Sequence, residues 1–292
     1  MNVWNRSHLG LLGLVLSAQI GCPVGPGGNG PSADAGTPDA GNLEFTVQRI
    51  PLHEEFSGAN CSPCLKAAEN MERVFHEFPD QYTMVSYQMG SDKYITEDCK
   101  RRRFYYLPEG TQNYSIPYVW VDGVHGFHPN EINADEGYLV ANFEEFQSVP
   151  SHIKLEATYS IDGKTVAVEV KVEAGAEFPS EELRLHVAII EARTVNNVGI
   201  NGQTEFLNVL KKMVPDHRGT SLRPMIAGDN DDLTFGYTFQ GDYTSETGMR
   251  DMVDHAVEHT VEDFDNLQVV VWLQDDWSRA VHQSADAVRV AP

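Results

Sequence analysis

The stretch FSGANCSPCLKAAENM, which runs from Phe56 to Met71, decides how the first half of the chain is interpreted. Its two cysteines, Cys61 and Cys64, stand three positions apart and directly before a segment with helical periodicity. Such a pair alone is compatible with a thiol-disulfide redox centre, with half of a zinc site, or with a structural disulfide. The surrounding sequence has to separate these three interpretations.

Apolar residues recur at three- and four-residue spacing after Ser62 and predict an amphipathic helix that Pro79 ends. Pro63 falls in the first turn of this helix, where its missing N–H has no intrahelical partner to lose. Before the cysteines, residues 45–56 are rich in Val, Ile, Leu and Phe and predict a strand. The apolar positions of the helix are Leu65, Ala68, Met71, Val74, Phe75 and Phe78.

The cysteine pair is therefore expected at a junction between a strand and a helix. Unpaired N–H groups and the positive end of the helix dipole stabilise a thiolate at Cys61, while Cys64 lies one turn further along. Lowering a thiol pKa from about 8.5 to about 7 raises the thiolate fraction at neutral pH from roughly 3% to roughly half. This position favours Cys61 as the nucleophile and Cys64 as the resolving thiol.

A second motif, YSIPYVWVDG at residues 114–123, places the pair Ile116-Pro117 directly before a strand. Proline is unfavourable at the entry to a strand unless its peptide bond is cis. A cis bond has a low energetic cost only in X–Pro. The other elements expected in this half are a strand at 81–89, a helix at 96–107, strands at 118–121 and 124–127, and a helix at 133–146.

This order of elements, with CxxC at a helix start and Ile-Pro before a hairpin, resembles the thioredoxin family over residues 43–149. In that family a cis proline lies opposite the disulfide of the CxxC pair, and the backbone before it binds the substrate peptide. The resemblance gives these roles to Pro117 and Ile116. It also makes Glu55, six positions before the first cysteine, the buried acid that accepts a proton from the resolving thiol. The chain departs from thioredoxins at Asn60, where they carry Trp.

The second half of the chain alternates apolar and polar residues, and this pattern predicts strands. Residues 153–161 and 166–172, joined by Asp162-Gly163, indicate a β-hairpin with one buried face. About seven strands suggest an immunoglobulin-like sandwich over residues 151–292. The expected fold class is thus an α/β thioredoxin-like domain (43–149) followed by an all-β immunoglobulin-like sandwich domain (151–292). The further strands are expected at 183–193, 206–213, 233–239, 267–273 and 280–290.

The N-terminal residues 1–21 have a short polar head and an apolar run, as bacterial export signals do. Gly21-Cys22 resembles the lipobox of bacterial lipoproteins, so Cys22 is expected to carry a lipid; a plain secretory signal is the alternative. Residues 22–42 have no periodicity and predict a flexible tether. Export would place the chain in an oxidising compartment.

A narrower resemblance rests on this leader together with EEFSGANCSPC, IPYVWVDG and the C-terminal segments LHVAIIEARTV and VVVWLQD. The combination is similar to the Omp-twenty-eight-related outer membrane lipoproteins, which join a thioredoxin-like unit to a β-sandwich. What this resemblance implies is an exported protein of the cell envelope, expected to be an outer membrane lipoprotein; the sequence itself leaves open which membrane carries the anchor.

Other sites are less well supported by the sequence. A zinc site would need further ligands besides the CxxC pair, and no metal or other cofactor is expected. Cys99 is interpreted as a small apolar residue on a helix, with a third exchanging thiol as the alternative. Arg101 to Arg103, and His255 with His259, are interpreted as solvated helix faces, and GDNDDL at 228–233 as a solvated turn. The candidate zinc ligands are Cys99, His53, His76, His125 and His128.

Two functions from different classes follow from these expectations. The first is a membrane-tethered thiol-disulfide oxidoreductase of the bacterial envelope, whose partners are envelope proteins with thiols or disulfides. The second is a surface-binding lipoprotein with a catalytically inert thioredoxin-like scaffold. Nucleic acid is not an expected partner of either, because 43 acidic residues against 21 basic ones give a formal charge of -22.

Overall fold

A computed structural model of the 292-residue chain describes residues 44–108, 111, 115–129, 136–245 and 252–292. The described residues belong to one compact unit. The predicted export signal, the predicted tether and Cys22 lie outside the described residues. Within the described part of the chain, no helix has the length and apolar character needed to cross a membrane.

The first half of the chain contains three helices and four strands among its described residues. In chain order they are β1 (Leu52–Ser57), α1 (Ser62–Glu77), β2 (Thr83–Gln88), α2 (Glu97–Tyr106), β3 (Tyr118–Val121), β4 (His125–Phe127) and α3 (Glu136–Ser148). The predicted helix start at Ser62 and the predicted strand at 118–121 agree with these bounds.

The second half is built from strands. They are β5 (Ile153–Asp162), β6 (Thr165–Ala174), β7 (Leu183–Thr194), β8 (Phe206–Val214), β9 (Thr220–Ser221), β10 (Asn230–Thr238), β11 (Asp242–Tyr243), β12 (Glu258–His259), β13 (Leu267–Asp275), β14 (Val281–Asp286) and β15 (Val288–Arg289), with a 3-10 turn at Phe264–Asn266. The chain is therefore a mixed α/β protein made mostly of sheet, which confirms the coarse fold class.

Strands from both halves share one nine-stranded sheet. Its order is β14-β13-β7-β8-β2-β1-β3-β4, with β9 paired to β7. Strand β1 is parallel to β2 and antiparallel to β3, and β2 meets β8 where Ser86 lies opposite Val209. The sheet is thus continuous across the domain boundary that the sequence predicts near residue 150.

A second sheet of four strands, in the order β10-β6-β5-β15, covers part of the first. Along β5 and β6 the buried and less buried residues alternate, as the predicted hairpin requires. The buried valines of β6 pack against Leu185, Val187 and Ile189 of β7 in one core. On the β1–β3 part of the large sheet, α1 and α3 contribute to a core on one face and α2 to a core on the other.

Arg102 on α2 lies at the centre of a buried polar cluster. Its guanidinium donates to both carboxylate oxygens of Glu54 on β1, at 2.6 and 2.8 Å, and to Gln274 Oε1 on β13 at 2.5 Å. The hydroxyls of Tyr87 and Tyr106 also donate to Glu54. These contacts tie α2 to strands from both halves of the chain.

The interpretation of Arg101 to Arg103 as a solvated face is wrong for two of the three residues. Arg102 and Arg103 are buried, while Arg101 is exposed and pairs with Glu97 one turn away. A buried Arg is tolerated only when it is paired, and its partner Glu54 lies 48 positions earlier in the sequence. Arg103 lies over the rings of Phe56 and Tyr118 and donates a hydrogen bond to the Ser115 carbonyl.

The expected surface helix around His255 and His259 is also wrong. Residues 255–257 form a turn, and His259 lies in β12, which pairs in parallel with β11. His259 is buried and contacts the rings of Phe239 and Phe264. Strand pairing and ring packing therefore override the four-residue spacing of the two histidines. The segment 228–233 is a turn only in part, because β10 begins at Asn230.

Candidate functional site

Cys61 and Cys64 form a disulfide at the start of α1. Cys61 is the N-cap residue with extended backbone angles, and the Cα atoms of the two cysteines are 5.3 Å apart. Cys64 is fully buried, whereas Cys61 is half-buried. Only the first sulfur is therefore within reach of a partner molecule, as expected of a nucleophile and its resolving thiol.

The Ile116-Pro117 pair lies beside this disulfide, although the two motifs are far apart in the sequence. The peptide bond between Ile116 and Pro117 is cis, and the Ile116 carbonyl oxygen is 3.6 Å from Cys61 Sγ. Neighbouring backbone is held by Arg103, which donates to the Ser115 carbonyl at 3.2 Å, and by His128, whose Nδ1 lies 2.7 Å from the Pro117 carbonyl. The structure thus brings together four of the residues that the sequence selects, namely Cys61, Cys64, Ile116 and Pro117.

The loop before Cys61 is held by contacts that sequence reasoning missed. The Ala59 N–H donates to Asp92 at 2.9 Å, and the Asn60 side chain donates to the Ser91 carbonyl at 2.8 Å. On the other side, the Ile200 N–H donates to Asn60 Oδ1 at 3.2 Å and the Asn201 N–H to the Ala59 carbonyl at 3.1 Å. No motif in the sequence indicates this contact.

Residue 199, in the connection between β7 and β8, approaches this loop so closely that only glycine fits. A Cβ atom added at Gly199 would lie 2.4 Å from the Ala59 carbonyl oxygen and 2.5 Å from Asn60 Oδ1. The second half of the chain therefore forms part of the surroundings of the disulfide. Next to it, Ile200 and Val198 are 83% and 40% exposed, so an apolar surface adjoins the cysteine loop.

Glu55 is buried on the face of β1 that is turned toward α1. The Ser86 hydroxyl donates to its Oε2 at 2.9 Å, while Oε1 is buried and has no hydrogen-bond partner among the described residues. Burial raises the pKa of Glu55 to about 7, and the Ser86 hydrogen bond opposes this shift. A carboxyl group with this pKa exchanges protons near neutral pH, as a general acid or base must.

Glu55 also lines a cavity of about 550 Å³ beneath α1. Leu65, the residue after Cys64, lies on the same wall. The opposite wall is formed by residues 202–208, which lead into β8. The sequence gives no indication of this cavity, because its walls come from segments about 140 positions apart.

Cys99 lies fully buried on α2, as its interpretation as a small apolar residue predicts. Burial raises the pKa of the Cys99 thiol to about 11, although hydrogen bonds with Thr96 oppose the shift. A thiol with such a pKa is almost entirely protonated at neutral pH. This makes Cys99 a poor partner for thiol exchange.

Three of the four histidines considered as zinc ligands lie in separate ring contacts. His53 stacks on Phe143, His125 lies against Phe146, and burial lowers the pKa of His53 to about 4. His128 contacts the Tyr118 ring edge-on. Within the described ranges, no three His, Cys, Asp or Glu residues are grouped so that they could hold a metal ion.

No protein-family model and no curated protein sequence matches the chain. Among solved structures, HBP35 of Porphyromonas gingivalis has a TM-score of 0.57 at 11% identity, covering 84% of this chain and 78% of HBP35. A structural-genomics target from Agrobacterium tumefaciens has a TM-score of 0.50 at 12% identity, covering 83% and 96%. A domain of the outer membrane lipoprotein Omp28 from Porphyromonas gingivalis has a TM-score of 0.31 at 14% identity, covering 48% and 90%. The chain is thus similar in fold to HBP35 and to the Agrobacterium protein over most of its length.

Proposed function

We propose that the chain is a membrane-tethered thiol-disulfide oxidoreductase of the bacterial envelope. The observation that carries this proposal is the arrangement around Cys61, which starts a helix, forms a disulfide with Cys64 and lies 3.6 Å from the Ile116 carbonyl. The helix start favours a thiolate at Cys61. This arrangement supports the proposal of a thioredoxin-like centre.

The reduced pair would transfer two electrons to a substrate disulfide. The Cys61 thiolate attacks one substrate sulfur; the substrate S–S bond breaks, its second sulfur leaves as a thiolate, and a mixed disulfide forms. Cys64, once deprotonated, attacks Cys61 Sγ, releases the first substrate sulfur and restores the disulfide. The reverse sequence oxidises a substrate dithiol and reduces the pair.

Glu55 serves in this scheme as the acceptor of the Cys64 proton. Its buried carboxyl group has a pKa of about 7, so both of its protonation states are populated near neutral pH. The adjoining cavity gives water a route by which the proton can leave the site. Glu55 would act as the acid again when the pair is reduced.

The surroundings of the disulfide suit a polypeptide substrate. The Ile116 carbonyl offers a backbone acceptor to an extended chain, as a strand edge does. On the other side, the exposed side chains of Ile200 and Val198 offer apolar contacts. Envelope proteins with thiols or disulfides fit this description, and Cys22 with the tether at 22–42 would keep the folded unit near a membrane.

A Cys64→Ser variant tests this function. Without the resolving thiol, Cys61 should remain linked to its substrates, and the adducts should disappear on treatment with a reducing agent. The measurement is non-reducing electrophoresis of envelope extracts from cells that express the full chain. The Cys61→Ser, Cys64→Ser double variant is the matched control and should form no adducts, whereas Cys99→Ala in the Cys64→Ser background should leave them unchanged. If no adduct of Cys61 appears in the Cys64→Ser extracts, the enzyme proposal fails.

A further inference from the structure

The cavity beneath α1 has the dimensions of a small-molecule site. Its volume is about 550 Å³, inside the range of about 300–1,000 Å³ that is typical of ligand pockets. It lies between α1, strands β1 and β2, and the segment 202–208. At its mouth Glu72, His76 and Glu205 are exposed, so the cavity is open to solvent.

The cavity is lined by five acidic side chains and by no Lys or Arg among the described residues. Two of the acids at the rim already have ion pairs, Glu69 with Lys66 and Glu205 with Arg193. The acidic residues are Glu55, Glu69, Glu72, Asp80 and Glu205.

Glu55 provides a second and independent indication of a ligand. It is 5% exposed, it lines the cavity, and its Oε1 atom has no hydrogen-bond donor among the described residues. Leaving a buried acceptor unsatisfied has an energetic cost, which is larger for a charged group. A donor that enters the cavity would remove this cost.

Apolar side chains form part of the remaining walls of the cavity, beside polar ones such as Ser57, Gln203 and Thr204. Met71 and Phe75 extend from α1, Met84 from β2, and Phe206 and Leu207 from the start of β8. A ligand that fills this space therefore needs an apolar body in addition to its cationic group. Inorganic cations lack such a body and leave these walls in contact with water.

From these observations we infer that the cavity binds a small organic cation, a primary ammonium group on an apolar body, with the ammonium donating to the Glu55 carboxylate. The apolar body packs against Met71, Phe75 and Met84, and Glu72 adds a favourable charge at the mouth. Binding does not require the thiols, so the inference goes beyond the proposed oxidoreductase function. It connects to that function only because the ligand occupies the carboxyl group that would accept the Cys64 proton.

Isothermal titration of the full, disulfide-bonded chain with 4-phenylbutylamine tests the inference. Its matched anion, 4-phenylbutyrate, has the same apolar body and the opposite charge. We expect saturable binding of one amine per chain and an affinity for the anion at least tenfold weaker. Glu55→Gln should weaken amine binding at least tenfold, and Ala68→Phe, which fills the cavity from α1, should abolish it.

Control variants separate a specific site from general charge effects. Glu77 is exposed on the same helix and does not line the cavity, so Glu77→Gln should bind the amine as the natural chain does. Glu72→Gln should weaken binding a few-fold. If Glu55→Gln does not fold, Ala68→Phe and the anion comparison decide the question.

Several results would overturn the inference: no saturable amine binding at millimolar concentration, equal affinity for the amine and the anion, or full binding by Ala68→Phe. The Cys61→Ser, Cys64→Ser double variant separates this inference from the oxidoreductase proposal. Amine binding by that variant, together with an absence of thiol adducts in the Cys64→Ser extracts, would support the site while removing the enzyme. Thiol adducts in the Cys64→Ser extracts without amine binding would support the enzyme proposal and remove the cavity site.

Discussion

Replacing Arg102 with methionine should lower the free energy of unfolding by about 3–5 kcal/mol, because it leaves a buried carboxylate without its cation. Arg102 and Glu54 are 1% and 0% exposed in their side chains and are joined at 2.6 Å. Glu54 must then keep an uncompensated charge or take up a proton, and Gln274 Oε1 loses one of its two donors. Urea unfolding with the Cys61–Cys64 disulfide intact measures the change.

The matched control is Arg101→Met, one position earlier on the same helix. Arg101 and its partner Glu97 are more than half exposed, at 58% and 51%, so the loss should be at most about 0.5 kcal/mol. Removing both buried charges, in a Glu54→Leu, Arg102→Met double variant, should recover a large part of the lost stability. A loss for Arg102→Met no larger than for Arg101→Met would contradict the role given to the buried pair.

Glu55→Gln should stabilise the protein at pH 8 by up to about 3 kcal/mol and leave its stability nearly unchanged at pH 4. Burial raises the pKa of Glu55 from 4.5 to about 7, so the folded chain retains a proton that the unfolded chain has lost. The stability of the natural chain therefore falls as the pH rises from 4.5 to 7, and it levels off above that. The Glu55→Gln variant has no ionisable group at position 55, so its free energy of unfolding lacks this loss between pH 4.5 and 7.

The test is the difference between the two unfolding free energies across pH 4 to 8. Other buried acids, such as Asp122 and Asp286, whose pKa values burial raises to about 6, contribute to both proteins and cancel in this difference. Glu77→Gln, an exposed change on α1, should show no such pH dependence. A difference that stays flat between pH 4.5 and 7 would show that Glu55 does not titrate where its burial requires.

The elements of the chain were predictable wherever local sequence patterns decide them. Apolar periodicity and Pro63 gave the start of α1, and Asp162-Gly163 between alternating residues gave the hairpin of β5 and β6. His255 and His259 show the limit of such patterns. Their spacing is helical, but the pairing of β11 with β12 and the packing of His259 against Phe239 and Phe264 depend on residues outside the local segment.

The site was predictable in its cysteines and in the Ile116-Pro117 pair, because family resemblance relates those positions. The contacts that hold the site in place could not be predicted from the sequence. Gly199 closes on the loop before Cys61 across about 140 positions, and the cavity beside Glu55 is formed by two equally distant segments. The burial of Arg102 likewise depends on Glu54, 48 positions earlier, and no local sequence pattern predicts an ion pair between such distant residues.

The proposed chemistry depends most directly on the reactivity of the Cys61 thiol. After mild reduction of the disulfide, the rate at which iodoacetamide alkylates Cys61 should be followed from pH 4 to pH 10 by mass spectrometry of its peptide. If the start of α1 stabilises the Cys61 thiolate, the midpoint of the rise in alkylation rate should lie at or below about pH 7.5. A midpoint near the ordinary thiol pKa of about 8.5, or above it, would contradict the oxidoreductase account and favour an inert scaffold.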